Sequence, residues 1–277
     1  MSRLRRKLYS LGVGAYDMTL LDVERKRLQP ALPLAEYLPG AGSPTTADWG
    51  PAISAVLAHA RKAQGGDLML TVSDYWARYW MLSVPDGVSS LEELRALAGA
   101  RFESLFGSPI DGWALMADWR TRGQMLVCAL PERLLSACDD LAVEGMWQVV
   151  SVQPQSIRLM NSYRSRIPDN AWVCCFGARG MLAMLLQQGE VNYVRRFRYQ
   201  RVPDADELLD MLDGEILRVG ADTPTQLCAL GILPELSHGT RIRGMELLLP
   251  QGEDAQPSGR GMSAESISLA RLRGGVE

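Results

Sequence analysis

The chain has 277 residues, 47% of them hydrophobic and 22% charged, with a formal net charge of −3. That is enough apolar material for two domains, or one large domain with two lobes, and it excludes disorder as the main state. The slight acidity argues against non-specific binding to nucleic acid.

In chain order, the first segment reads as a β-hairpin, with apolar arms at 8–15 and 18–23 and a turn around Ala15, Tyr16 and Asp17. The N-terminal residues, MSRLRRKLYSLGVGAYDM, lack the apolar region and cleavage site of a signal peptide. Residues 29–47, rich in Pro, Gly, Ser and Thr, read as a loop. Asp48 then caps a helix carrying Ile53, Val56 and Leu57 on one face. Strands are expected at 68–72 and 80–84. Ser90 and Glu93 form a capping box for a helix that Gly107 stops. Strands at 112–119 and 124–130 precede a helix opened by Pro131, a strand at 147–152 and a helix from Pro154 whose exposed face carries Arg158, Arg164 and Arg166.

At 167–170 the pattern restarts. Strands at 172–176, 181–187 and 191–202 form an antiparallel meander. Asp204 and Glu207 cap a helix, and strands at 225–230 and 245–249 follow. Residues 250–277 read as a loosely ordered tail with a weak helix signal at 263–272. No run of eighteen apolar residues exists, so no membrane span is expected. Two halves that each open on a β-hairpin or meander and close on helix–strand units predict an α/β, actin-like (ribonuclease-H-like) duplicated fold. Its two lobes would each hold a mixed sheet. The expected division is 1–168 for the first lobe, with a small inserted α/β subdomain at about 85–130, 169–249 for the second lobe, and 250–277 for the tail.

Few residues offer chemistry. Cys128, Cys138, Cys174, Cys175 and Cys228 lack metal spacing and read as buried free thiols in a reducing compartment. His59 and His238 belong to no catalytic set. Asp74, amid Tyr75, Trp76, Tyr79 and Trp80, reads as a strand-end residue. Arg195, Arg196, Arg198 and Arg201, interleaved with Tyr193, Phe197 and Tyr199, read as an exposed sheet face or charged edge; nucleic acid or anionic lipid is the rival use.

Several stretches resemble the PilM-type and GspL-type proteins, actin-like cytoplasmic components of bacterial type IV pilus and type II secretion machines. They are LTVSDYWARYWMLSVP (70–85), ARFESLFG and DGWALMADW (100–119), MLVCALPERLL (125–135), VVSVQPQSIRLMNSYR (149–164) and WVCCFGARGMLAMLLQQGEV (172–191). The resemblance implies a nucleotide cleft whose first hairpin carries an Asp and then a small glycine, but here, just past Gly12, Gly14 and Tyr16 stand at those places. In the second hairpin Cys175 stands for the carboxylate, while Gly177 and Gly180 remain. With both Mg²⁺-holding carboxylates missing, the resemblance implies a degenerate site, no cofactor or metal, room at most for weak ATP binding, and no ATPase activity.

It further implies a non-catalytic scaffold at the inner membrane that holds a bitopic partner of PilN type, with other pilus or secretion platform proteins as further contacts. Tyr75, Trp76, Tyr79, Trp113 and Trp119 are the candidate partner anchors. The alternatives are a working actin-like ATPase or small-molecule kinase with a non-standard nucleotide site, and a binding module unrelated to pili.

Overall fold

The structure, a computed structural model, describes residues 6–38, 44–58, 65–143, 147–201, 203–220, 224–232, 239, 241–242, 244–250 and 263–272. The elements run β1 (Leu8–Val13), β2 (Asp17–Asp22), β3 (Arg27–Leu28), β4 (Leu32–Pro33), α1 (Trp49–Ala58), β5 (Gly66–Val72), β6 (Arg78–Val84) and α2 (Leu91–Phe106). Then come β7 (Trp113–Ala117), β8 (Gly123–Pro131), α3 (Glu132–Val143), β9 (Trp147–Pro154), α4 (Gln155–Ser162), β10 (Ala171–Phe176), β11 (Gly180–Gln187) and β12 (Glu190–Arg198). The chain continues through α5 (Ala205–Val219), β13 (Gln226–Gly231), β14 (Arg241–Ile242), β15 (Met245–Leu248) and α6 (Ser263–Arg271).

Two compact units result. One comprises Met1–Ala77, Leu130–Ser162 and Pro257–Glu277; the other comprises Arg78–Ala129 and Tyr163–Gln256. Residues 78–129, which contain most of the subdomain expected at about 85–130, group with the C-terminal sheet, where β6 packs near β12.

The first unit is built on a sheet of order β3-β2-β1-β5-β9. β1 pairs antiparallel with β2 and parallel with β5, and β5 pairs parallel with β9. Register and alternation sort its side chains by face. Tyr9, Leu11, Val13, Met18, Leu20, Leu68, Leu70 and Val72 make one apolar face, all buried. Nearby, α1 packs against β2 and buries Trp49, Ile53, Val56 and Leu57. The other face carries Ser10, Gly12, Thr19, Thr71 and Ser73, and α6 lies across it.

The second unit repeats that topology. Its sheet runs β12-β11-β10-β13-β15-β14, with β10 antiparallel to β11 and parallel to β13, and β13 parallel to β15. Leu208 and Leu212 of α5 bury Trp172, Cys174, Phe176, Met181, Ala183 and Leu185. A three-stranded sheet, β6-β8-β7, buries Trp80, Leu82, Met125 and Val127 against Leu94, Ala98 and Phe102 of α2. The Ser90/Glu93 and Asp204/Glu207 capping boxes both form, and Gly107 ends α2 in the left-handed region at φ 65°.

Four expectations change. The loop at 29–47 contains β4 and a 3-10 turn, Leu34–Glu36, which buries Leu34. Arg158 is not on an exposed face: it is 1% exposed, and its guanidinium donates to the Leu70 carbonyl (3.0 Å) and Ser151 Oγ (3.2 Å). Arg164 and Arg166 have left the helix for a short 3-10 turn. Residues 263–271 are not loose but form α6, packed on β1, β2 and β5. Among the described residues no helix is long and apolar enough to cross a membrane.

Candidate functional site

In open α/β sheets, ligands sit beyond the carboxyl ends of parallel strands. In the first unit those ends are the loop after β1 (Gly14, Ala15, Tyr16), the segment after β5 (Ser73 to Ala77), and the start of α4 after β9. Backbone amides and hydroxyls at such ends are the natural grips for an anion.

Here the chain's own carboxylates hold those groups. The Ala15 N–H donates to Glu265 Oε2 at 2.7 Å, and Ser73 Oγ donates to Glu265 Oε1 at 2.8 Å. Glu265 comes from α6 and is 1% exposed. Asp74 serves the first turn of α4: its Oδ1 accepts from the Ser156 N–H at 3.2 Å, and its Oδ2 accepts a short bond from Ser156 Oγ. That bonding fits the strand-end reading of Asp74 and satisfies an otherwise orphaned helix-terminal donor.

Gly14 cannot regain a carboxylate cheaply. A Cβ there would lie 2.7 Å from Asp17 Oδ1 and 3.3 Å from Glu265 Oε2. Asp17 is buried beside Ser266, and burial, with the Glu265 charge adding to it, lifts its carboxyl to about 6. Tyr16 is half-buried, its ring 6.4 Å from that of Tyr75. Gly12 has a packing reason: a Cβ would meet the Ser266 carbonyl oxygen at 2.0 Å, so only glycine lets α6 approach β1 this closely.

The second hairpin is likewise closed on itself. The Gly177 N–H donates to the Gly180 carbonyl at 2.9 Å, and Tyr199 Oη donates to the Gly177 carbonyl at 2.7 Å. Cys175 is fully buried within β10, between Leu182 of β11 and Leu230 of β13. A Cβ on Gly180 would meet the Phe197 carbonyl oxygen at 2.5 Å. Gly180→Ala is accordingly expected to destabilise the second unit by about 1–3 kcal/mol through overpacking, read as a lower urea midpoint at unchanged slope.

The five aromatics expected to line one groove divide between the units. Tyr75 and Trp76 belong to the first, and Tyr79, Trp113 and Trp119 to the second. Trp76 and Tyr79 are 6% and 8% exposed, so neither is an accessible anchor. The Trp76 indole donates to the Gly14 carbonyl at 2.8 Å and packs edge-on against Trp49. Tyr75 is 41% exposed. Trp113 is half-buried beneath the Arg78 guanidinium, 5.0 Å from its ring centre, and Trp119 is half-buried against the α2 cluster.

The arginines of β12 and of the segment just after it are partly neutralised. Glu215 of α5, 5% exposed, accepts from Tyr193 Oη and pairs with Arg195 (3.6 Å) and Arg218 (3.3 Å), while Arg201 pairs with Glu207. All five cysteines are free and buried, and burial pushes the Cys138 and Cys228 thiols up to about 12, which leaves them poor nucleophiles. His59 and His238 lie outside the described residues. Among the described residues no group of acidic, His and Cys side chains could hold a metal ion.

No protein-family model and no curated protein matches the sequence. Solved structures do. The PilM–PilN type IV pilus biogenesis complex contains a chain similar at 15% identity and a TM-score of 0.56, covering 96% of this chain and 97% of that one. The cytoplasmic domain of EpsL, an inner-membrane component of the type II secretion system of Vibrio cholerae, is similar at 13% identity and 0.51, covering 95% and 94%. A Bacteroides thetaiotaomicron protein of actin-like ATPase fold is similar at 9% identity and 0.52, covering 83% and 84%. With the repeated sheet topology, these likenesses establish that the chain has the actin-like fold.

Proposed function

We propose that the protein is a non-catalytic scaffold on the cytoplasmic side of the inner membrane, holding a bitopic partner of PilN type in a type IV pilus or related secretion machine. One observation carries the non-catalytic half of this reading: Glu265 already occupies the Ala15 amide at the strand end where an actin-like ATPase would grip a phosphate. A phosphate arriving there would have to displace a buried carboxylate and sit beside Asp17 and Asp74, against like charge. The similarity to a protein solved in complex with PilN supports the partner class.

The test has two parts. Purified protein with ATP and Mg²⁺ is expected to release no phosphate above an enzyme-free control; sustained turnover abolished by Asp74→Asn would favour the ATPase or kinase alternative instead. An immobilised cytoplasmic segment of a PilN-type protein is expected to retain the chain. Tyr75→Ala should remain folded by circular dichroism and lose capture by about 2 kcal/mol, as truncation of an aromatic anchor does. A folded variant captured as well as the parent would remove Tyr75 from the interface.

A further inference from the structure

The two faces of the first unit's sheet differ in a way that scaffolding does not require. The face opposite α6 is apolar from Tyr9 to Val72, with Asp22 at the β2 edge beside Tyr9 as its one charged residue among those described. The face beneath α6 presents Ser10, Thr19, Thr71 and Ser73 around Gly12, with Asp17 at its end. Ser10 Oγ, Thr71 Oγ1 and Asp17 Oδ1 are buried there without hydrogen-bond partners, an arrangement that opposes the burial that α6 imposes.

The grip of α6 on this face is mostly polar. Thr19 and Ser266 share a hydroxyl bond of 2.7 Å, and Glu265 reaches Ala15 and Ser73. Leu269 is its one large apolar side chain that is fully buried, whereas α1 buries Trp49, Ile53, Val56 and Leu57. A helix of nine residues is also too short to persist alone in water.

We propose that α6 is a releasable latch on the first unit, which unseats and unfolds as one piece while the rest of the unit stays folded. Release exposes a sheet face on which Ser10, Gly12, Thr19, Thr71 and Ser73 lie beside Leu21 and Met69, a more polar face than the one opposite and so less costly to wet. It also frees the Ala15 amide from Glu265, so the state of α6 decides whether the β1–β2 loop can accept a ligand. The latch goes beyond the scaffold reading, and its test involves neither nucleotide nor partner.

Amide hydrogen exchange on the full chain tests it. The amides of 265–271 and of Ala15 should exchange together, at least about tenfold faster than those of Leu11, Leu68 and Leu70. Gly12→Ala places a methyl group against the Ser266 carbonyl and should raise exchange across α6 to that of an unstructured peptide, with 68–72 keeping the parent's protection. Joining Thr19→Cys and Ser266→Cys in a disulfide should slow α6 to the level of β5. Protection of α6 equal to that of β5 in the unaltered protein overturns the proposal. So does a Gly12→Ala variant that fails to fold or loosens α6 and β5 alike, since α6 would then be part of the unit's indivisible core.

Discussion

Replacing Trp76 by alanine should cost the protein about 3–5 kcal/mol of stability, the usual penalty for truncating a buried aromatic. The ring is 6% exposed, stands edge-on 5.0 Å from Trp49 and 4.8 Å from Tyr75, and its Nε1–H closes the loop after β1 by donating to Gly14. Truncation therefore opens a cavity beside α1 and leaves the Gly14 carbonyl without that donor. Trp76→Phe separates the two effects: it retains most of the packing and loses the hydrogen bond, so a smaller loss of about 1 kcal/mol is expected from that bond alone. Urea unfolding of both variants measures this. An alanine variant as stable as the parent, with impaired partner capture, would instead make Trp76 a contact residue.

Asp17→Asn should do the opposite and stabilise the protein at pH 7.5. The folded carboxyl titrates at about 6, against 3.8 for the free group. The folded state therefore binds the proton more tightly than the unfolded chain. The resulting stability is complete below pH 3.8, falls as pH rises through 6, and is gone above it. At pH 7.5 Asp17 is a buried charge beside the Glu265 carboxylate, at a cost of about 1–3 kcal/mol. Asparagine removes the charge and keeps a side-chain oxygen to accept the hydrogen bonds that Ser266 gives Asp17. Urea midpoints from pH 4 to pH 7.5 should show Asp17 contributing a decline that the Asn variant lacks. A variant less stable than the parent at pH 7.5, with the same pH profile, would show that the Asp17 charge is satisfied.

Local chemistry was legible wherever it was self-contained. Both capping boxes, the left-handed Gly107 stop and the meander after 170 follow from a few neighbouring residues, and all formed. The repeat of hairpin and helix–strand units was likewise readable from element order, because alternation and turn residues mark each strand separately. The cysteines, four of them set in apolar runs, read as buried thiols, and all five are buried.

What failed to show in the sequence depends on residues far apart in the chain. Arg158 lies at helical spacing that suits an exposed face, yet the Leu70 carbonyl, 88 residues earlier, together with the nearer Ser151 Oγ, makes its burial tolerable. Trp76 and Tyr79 looked like anchors because an aromatic run carries no sign of which side is covered; Trp49 and Gly14 cover Trp76. Glu265 was missed entirely, since nothing in a polar, Gly/Ser-rich tail signals a carboxylate that binds Ala15, 250 residues earlier. The sequence by itself determined most of the elements and their caps, because these are properties of short segments. Only the tertiary structure decided what fills the first loop, since a buried amide must find an acceptor and the chain folds back from its far end to supply one.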